Sequence, residues 1–445
     1  MKTTDENILQ TFDELHPSDI ADTLKKINKK DEKQFYEILH KLSDEVLGEV
    51  LLELPDSLRD KAYQSLSNTQ ISQAIEELET DDATDIIQDI EDLDEQKAKD
   101  ILSSLDQEDQ DDINWLKKYD ENEAGAYMQI ELFSANIKET IQESINRLKK
   151  LKQDDELENI HQVFVVDDDN ILLASIALED LLTFDFDKTY QDILENDKEN
   201  NYKAFSVFGD DDIDDVVQQF ENYNLSVVAV TGYKNRLLGR ITSDDILDIV
   251  EQSATEQMYQ LAGVNDESEQ EENLIQTGKT RASWLFINLL TAILASIVIG
   301  MFDETLKQFI ALAILMPIVA SMGGNAGTQT LAVMVRQLAL GDIDENNSKD
   351  AIKKEVILSL SNGILFAIVL GVISSLWFSN TTLGVVIALS IIITLFSAGF
   401  FGSIIPLALK KFDIDPAIGS TVLLTTVTDI TGFFSFLALA KCFMI

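Results

Sequence analysis

The distribution of apolar residues separates a largely polar first part of the chain from an apolar last part. Five long apolar segments lie after residue 278, and each is long enough, or nearly so, for a helix to cross a bilayer, which takes roughly 20 residues. They are Ala282–Met301, Leu306–Met322 with a continuation to Arg336, Val356–Phe378, Leu383–Leu409 and Pro416–Ala440. The pattern predicts an all-α transmembrane domain of five helices over residues 278–445.

The first part begins with short helical patterns in tandem. Residues of the N-cap type are each followed by a short apolar run with helical spacing. These predicted helix starts are His16, Ser43, Ser67, Thr80 and Asp94. The later starts are about 13 residues apart, which is typical of stacked repeats with one helix each. We therefore predict an all-α helical-repeat domain over residues 1–124.

An α/β pattern follows over residues 125–242. The strand-like runs Gln162–Val166 and Ile171–Ile176 precede a short helix, and the arrangement returns with Leu225–Val230 and Leu237–Ile241. This duplication resembles a tandem CBS pair, most clearly at Gly239-Arg240-Ile241-Thr242 and Asp245. In CBS domains the residues corresponding to Thr242 and Asp245 often hold an adenine nucleotide, so the resemblance implies ATP or a related nucleotide as a ligand.

Residues 243–277 are predicted to form a connecting helix and a linker, with the polar stretch Asn265–Asn273 at its end. Asp244, Asp248 and Glu251 are neighbours on one helix face, where like charges destabilise the helix. A divalent cation or a basic partner would reverse that effect. The alternative is an acidic, solvated linker helix.

The net negative charge is confined to the part before the apolar segments. The net charge is −45, and the residues before Lys279 carry 69 acidic and 24 basic side chains, whereas the remainder carries ten of each. Such a surface repels nucleic acid and attracts cations, so we expect no nucleic-acid partner. A salt-adapted or solubilising surface would look the same.

Basic residues cluster in every second flank of the apolar segments. Lys279 and Arg281 precede the first segment, four bases join the second to the third, and Lys410 and Lys411 join the fourth to the fifth. The positive-inside rule then places the N-terminus in the cytoplasm and the C-terminus outside. The absence of a signal pattern in the first residues and the single cysteine, Cys442, fit this orientation in a cell (inner) membrane.

Asp429 is the single acid within the five predicted segments. Thr421, Thr425, Thr428, Asp429 and Gly432 share one side of the last helix, with Asp429 roughly 20 Å along it from Pro416. An ionisable residue in a membrane helix is a functional candidate because its burial is costly. We predict a cation pathway there. The alternative is a structural carboxyl bonded to a neighbouring helix.

The second apolar segment supplies further polar groups. This segment contains the run Gly323-Gly324-Asn325-Ala326-Gly327-Thr328-Gln329. Its glycines either break the helix or allow close helix packing, and its asparagine and glutamine supply amide oxygens. We therefore expect Gly324 and Asn325, together with Thr421, Thr425 and Thr428, to line the path.

Three stretches closely resemble the MgtE family of magnesium channels: RASWLFIN at 281–288, the GGNAGTQ-containing run at 316–341 and DPAIGSTVLLTTVTDITG at 415–432. The resemblance implies a homodimer in the lipid bilayer, gated by cytoplasmic magnesium. It implies that Asp429 holds hydrated Mg²⁺ in the pore, and that Asp212, Asp214, Asp245, Asp248 and Glu256 bind regulatory Mg²⁺. Asn224, Ser253 and Gln257 stand where acids are usual, and Thr421-Val422 replaces a small-Pro pair.

The chemistry of Mg²⁺ agrees with this interpretation. The ion is usually held by one or two carboxylates and keeps most of its waters, and an inside-negative potential drives it inward without a pump. We expect no enzymatic activity. The open alternatives are a proton-coupled divalent cation carrier with Asp429 as its proton site, an intramembrane aspartyl protease, which would need a second carboxylate, and a membrane-anchored adenine-nucleotide receptor.

Overall fold

The computed structural model describes residues 15–153, 157, 159–264, 274–341, 343, 347–412, 414–417 and 419–445. The predicted linker Asn265–Asn273 lies outside these residues. The chain divides into two compact units, Met1–Glu251 and Gln252–Ile445. Each unit is described on its own below.

Eight helices lie within residues 17–116 of the first unit. Several start where an aspartate or serine side chain accepts hydrogen bonds from the first backbone N–H groups, as Asp31, Ser67, Asp94 and Asp106 do. Their apolar faces share one core that includes Leu24, Phe35 and Tyr63. The helices are α1 Pro17–Asn28, α2 Glu32–Leu39, α3 Asp44–Glu53, α4 Asp56–Ser65, α5 Asn68–Ile75, α6 Thr80–Leu93, α7 Glu95–Leu102 and α8 Gln107–Leu116.

Two copies of one α/β arrangement follow, as the sequence predicts. In each copy a short strand pairs in parallel with a middle strand, and the middle strand pairs antiparallel with a third. The two first strands are too short for the sequence pattern to reveal. The elements are β1 Ser134–Asn136, α9 Ile141–Gln153, β2 Gln162–Val166, β3 Leu172–Ala177, α10 Leu178–Leu181, α11 Tyr190–Asn196, β4 Ser206–Phe208, α12 Ile213–Tyr223, β5 Val227–Gly232, β6 Arg236–Thr242 and α13 Ser243–Leu261.

The two copies pack against each other through their sheets. Phe164 and Leu172 of the first copy share an apolar core with Val227 and Leu237 of the second. At the hairpin turns, the side chain of Asn170 donates a hydrogen bond to the carbonyl of Leu237 at 3.0 Å. The fold prediction of a CBS pair after a helical domain is confirmed.

Among its described residues, the second unit contains five helices that are long and apolar enough to cross a membrane. They are α14 Leu274–Gly300, α16 Ile310–Ala339, α17 Ser348–Phe378, α18 Thr381–Lys411 and α19 Ser420–Met444, and the short α15 Asp303–Gln308 precedes α16. The last helix begins at Ser420 and not at Pro416. Asp429 therefore lies nine residues, about 14 Å, along it, which is less than the sequence suggests.

Glycines bring three of these helices into close contact. Helix α16 continues without a break through Gly323, Gly324 and Gly327, so these glycines serve close packing. A Cβ at Gly323 would lie 2.6 Å from Cγ2 of Thr394 in α18, and one at Gly327 would lie 3.1 Å from the Leu424 side chain in α19. Small residues at such contacts let helix backbones approach in the absence of a hydrophobic driving force.

Candidate ion pathway and acidic sites of the first unit

Helices α16 and α19 run antiparallel in a fixed register. Val319 lies against Gly432, Gly323 against Thr428 and Gly327 against Leu424. Each step of four residues along α16 is matched by four residues backwards along α19. The segments that carry Asn325 and Asp429 are therefore held beside each other by side-chain packing.

Asp429 is partly exposed in this arrangement. In the described parts of the chain, no charged group lies close enough to its carboxylate to compensate its charge, and no hydrogen bond to it is found there. The alternative of a structural carboxyl bonded to a neighbouring helix receives no support from these contacts. An uncompensated carboxylate at this position is suited to meeting a cation from outside the chain.

The expected pore-lining residues fall into two groups. Gly324 has no atom within 4 Å of a Cβ built on it, and the Asn325 side chain is exposed. Thr428, in contrast, is fully buried beside Gly323, and its hydroxyl donates to the carbonyls of Leu424 and Thr425 in its own helix. Thr425 is partly exposed and donates to the carbonyls of Thr421 and Val422.

Thr421 contacts the end of the connecting helix. Its hydroxyl donates a hydrogen bond of 2.8 Å to the carbonyl of Leu261, the last residue of α13. The Leu261 side chain packs against an apolar cluster that includes Leu331, Ala417 and Leu424. Sequence reasoning named Thr421 as a pore residue and missed this contact, because nothing in the pattern joins positions 160 residues apart.

Acidic side chains of the first unit gather around the start of α6. Asp81 is 7% exposed, and its Oδ1 atom has no hydrogen-bond partner in the described part of the chain. Burial raises the pKa of Glu79, Asp82 and Asp85 to about 7, and neighbouring carboxylates including Asp245 add to the increase. Sequence reasoning treated Thr80-Asp81-Asp82 as a helix start alone. Three acids within five residues were the available signal.

The predicted regulatory residues occupy different surroundings. The carboxylate of Asp245 accepts a hydrogen bond of 2.8 Å from the hydroxyl of Thr242 and another from the side-chain amide of Gln129. Burial raises the pKa of Asp245. Asp248 is exposed, and its pKa is raised by partial burial and by the nearby charges of Glu53, Glu251 and Asp244. Thr242 is buried. Thr242 and Asp245, the two side chains expected to bind a nucleotide, are therefore hydrogen-bonded to each other in this structure.

The other predicted regulatory residues lie at helix starts or on exposed faces. Asp212 is the N-cap of α12 and accepts a hydrogen bond from the backbone of Asp214 at 2.9 Å. Glu256 is exposed on α13 and accepts a hydrogen bond from Gln260 at 2.6 Å. Among the described residues, no three acidic, histidine or cysteine side chains are grouped as direct metal ligands.

Family models match three regions of the chain. The family model of the MgtE intracellular N domain matches residues 15–122, the CBS domain model matches 201–252, and the MgtE model, a divalent cation transporter, matches 316–439. The magnesium transporter MgtE of Enterococcus faecalis is 33% identical over 337 residues, which cover 76% of this chain and 72% of that protein. The chain belongs to the MgtE family.

Two further MgtE proteins extend the comparison. Magnesium transporter MgtE of Bacillus subtilis is 27% identical over 433 residues, which cover 97% of this chain and 93% of the relative. A crystal structure of the cytosolic domain of the Mg²⁺ channel MgtE in complex with ATP is 26% identical, with a TM-score of 0.50. It covers 55% of this chain and 95% of that chain. MgtE family membership and the five apolar helices identify a multi-pass membrane protein.

Proposed function

We propose that this protein is a magnesium channel through which Mg²⁺ enters passively, with Asp429 holding the hydrated ion. The partly exposed carboxylate without a compensating charge in the described chain carries this proposal. Mg²⁺ retains its waters and suits one or two carboxylates, and two copies of Asp429 in a homodimer would supply two. Gly324, Asn325, Thr421 and Thr425 then line the approach, while Thr428 supports it from within the chain.

The membrane potential supplies the driving force in this proposal. An inside-negative potential of 100 mV favours entry of a divalent ion by about 4.6 kcal/mol. The basic residues in every second flank of the apolar segments support a cytoplasmic N-terminus and an external C-terminus. We assign residues 1–124 to an acidic helical N-terminal domain and residues 125–242 to the CBS pair. Residues 243–277 are assigned to the connecting helix and linker, and residues 278–445 to the ion-conducting domain.

Closure by cytoplasmic magnesium is the second part of the proposal. Scarce magnesium leaves the acidic regions of two subunits repelling each other; abundant magnesium bridges carboxylates and brings the connecting helices together. Asp212, Asp214, Asp245, Asp248 and Glu256 are proposed ligands, and the unpartnered Oδ1 of Asp81 fits a water of a hydrated ion. ATP or another adenine nucleotide at Thr242 and Asp245 would modulate this state.

Uptake into liposomes tests the conduction step. Wild type and Asp429→Ala are reconstituted with an inside-negative potential and no proton gradient, and Mg²⁺ entry is measured with an internal indicator. Uptake by wild type with at least a tenfold loss in the variant is expected. Asp303→Asn is the matched control, because Asp303 forms an exposed ion pair with Lys307 at the short helix α15.

Two outcomes would contradict this proposal. Equal uptake by wild type and Asp429→Ala would place the ion elsewhere. Uptake that requires an added proton gradient would favour the proton-coupled carrier. The gating step is tested separately by the distance between subunits with and without magnesium, and an unchanged distance would overturn it.

A further inference from the structure

One face of helix α18 carries buried hydroxyl groups. Ser390, Thr394 and Ser397 follow one another at intervals of four and three residues, so they share a face of the helix. Each of the three side chains is at most 4% exposed. A buried hydroxyl is costly unless it is hydrogen-bonded, so the bonding of each one has to be accounted for.

Thr394 lies between helices α16 and α19. Its Cγ2 atom is 2.6 Å from the position of a Cβ at Gly323, and its Oγ1 atom is 3.5 Å from the position of a Cβ at Gly432. The methyl group therefore fills the contact with α16, and the hydroxyl is directed toward α19. A β-branched side chain has few rotamers available in a helix, so packing at Gly323 determines where this hydroxyl points.

The hydroxyls of Thr394 and Ser397 have no hydrogen-bond partner among the described residues. Serine and threonine side chains within helices can donate to the carbonyl one turn back, as Ser403 does to Gly399 at 2.7 Å in the same helix. Two neighbouring buried hydroxyls that both lack this bond point to a partner that they share.

The antiparallel packing of α18 and α19 brings these hydroxyls toward the turn that carries Asp429. Ser390 and Ser435 form a hydrogen bond of 3.3 Å between their hydroxyls, and the next contact along α18 is that of Thr394 with Gly432. Each step forward on α18 is therefore a step backward on α19. The following hydroxyl of α18 lies closer still to the level of Asp429, which precedes Gly432 by less than one turn.

The spacing of the two unpartnered hydroxyls fits one water molecule between them. Side chains three residues apart on a helix have Cβ atoms about 5–6 Å apart, which is about the span of two consecutive O–H···O bonds of about 2.8 Å each. A buried water makes about three hydrogen bonds to otherwise unsatisfied groups, and a nearby backbone carbonyl, with its two lone pairs, can supply the third. A hard cation would need about six oxygen ligands, usually with carboxylates among them, which two neutral hydroxyls do not provide.

We propose that Thr394 and Ser397 together bind one ordered water molecule between α18 and α19. The water completes the hydrogen bonding of both hydroxyls and braces, from the interior of the helix cluster, the turn of α19 that carries Asp429. The proposal depends only on packing within Gln252–Ile445 and does not require that the protein transports magnesium.

The sign of two stability changes tests the water site. If the hydroxyls are unbonded, Thr394→Val and Ser397→Ala each remove a buried polar group with little change in shape and should raise the unfolding midpoint. If both hydroxyls bind one water, each substitution leaves the water and the other hydroxyl short of a partner, and each should lower the midpoint by about 2–4 °C. The double variant should then lose no more than the more harmful single variant, because the first substitution already releases the water.

The midpoints are measured on the full-length protein in detergent. Trp115→Phe in every sample leaves Trp284 and Trp377, both in the second unit, so that tryptophan fluorescence reports the unfolding of that unit. Ser403→Ala is the matched control, because its hydroxyl is fully buried on the same helix but is bonded within that helix. It lies nine residues, about 13 Å, from Thr394, so its effect should add to that of Thr394→Val.

A density map of the full-length protein tests the site directly. A peak within hydrogen-bonding distance of Thr394 Oγ1 and Ser397 Oγ is expected, and it should disappear in Thr394→Val. A map that shows buried waters elsewhere but none at this position would overturn the proposal even if a variant failed to fold. A raised or unchanged midpoint in either single variant, or additive losses in the double variant, would overturn it as well.

Discussion

The hydroxyl of Thr421 donates a hydrogen bond to the carbonyl of Leu261 at 2.8 Å. Leu261 is the last residue of α13, where carbonyls have no partner within the helix. The bond therefore satisfies an acceptor at the end of the connecting helix and links that end to the first turn of α19. Asp429 lies eight residues further along the same helix.

Removing this bond should weaken closure of the proposed channel. In Thr421→Val the size of the side chain is retained, and a net hydrogen bond contributes about 0.5–1.5 kcal/mol. We expect magnesium uptake at high internal magnesium to rise by about two- to tenfold, as measured in loaded liposomes. Thr426→Val is the control, since its hydroxyl donates within α19 to the carbonyl of Val422 at 2.6 Å. An equal rise in both variants would exclude a specific role for the contact.

Adjacent glycines in α16 should respond very differently to an added methyl group. Gly323→Ala places Cβ against Cγ2 of Thr394, whereas Gly324→Ala meets no atom within 4 Å. We expect the first variant alone to lose about 1–3 kcal/mol, observed as a lower thermal-unfolding midpoint in detergent. Thr394→Ser removes the opposing methyl and should restore most of the stability of Gly323→Ala. Equal destabilisation by both glycine variants would contradict the packing.

The acidic start of α6 should make the stability of the first unit depend on pH. Burial raises the pKa of Glu79, Asp82 and Asp85 to about 7 in the folded state, above the ordinary carboxyl values near 4. Between about pH 4 and 7 the folded state therefore binds more protons than the unfolded state. Stability is lost as pH rises through this range, by up to about 1.4 kcal/mol per pH unit for each titrating carboxyl.

Thermal unfolding in EDTA at pH 5.5, 6.5 and 7.5 measures this effect. The midpoint for unfolding of the first unit should fall from pH 5.5 to 7.5, and Asp85→Asn should reduce the slope. Asp168→Asn serves as the control, because hydrogen bonds from Lys138 and Asn136 lower the pKa of Asp168 and keep it ionised in this range. A midpoint independent of pH would mean that the acids of α6 are solvated.

Substitutions of Asp212 can distinguish a structural role in helix capping from a role in binding Mg²⁺. As the N-cap of α12 it accepts the backbone N–H of Asp214, and asparagine caps a helix about as well as aspartate. Asp212→Asn should leave the unfolding midpoint unchanged, while Asp212→Ala should cost about 1 kcal/mol. If Asp212 also binds regulatory magnesium, the asparagine variant will need more magnesium for closure at unchanged stability. An unchanged magnesium requirement would limit Asp212 to capping.

The sequence predicts most of the fold because periodicity and capping are local properties. The five apolar helices, the tandem short helices and the middle strands of the two sheets, Gln162–Val166 and Val227–Gly232, follow from patterns within about 20 residues. The contacts of Arg240 with Glu79 and of Thr421 with Leu261 join positions about 160 residues apart. Such contacts depend on how elements pack, which no local pattern specifies.

The same limit applies to the candidate pore residues. Helical spacing predicts that Thr428 and Asp429 share one side of the last helix. It does not show that Thr428 is buried in the contact with Gly323. The direction of a residue on a helix surrounded by other helices depends on its neighbours. Composition alone also does not reveal that Asp81 is buried, because an acidic helix start is more often solvated.

The matched steps of α16 and α19 make these two helices a fixed frame. Because Val319, Gly323 and Gly327 each fit one partner on α19, sliding by a turn would replace all three fitted contacts at once. A conformational change that preserves these three contacts moves α16 and α19 together and leaves the distance between Asn325 and Asp429 constant. Side chains at the open positions 324 and 325 could then be exchanged to alter ion preference while the backbone keeps its geometry.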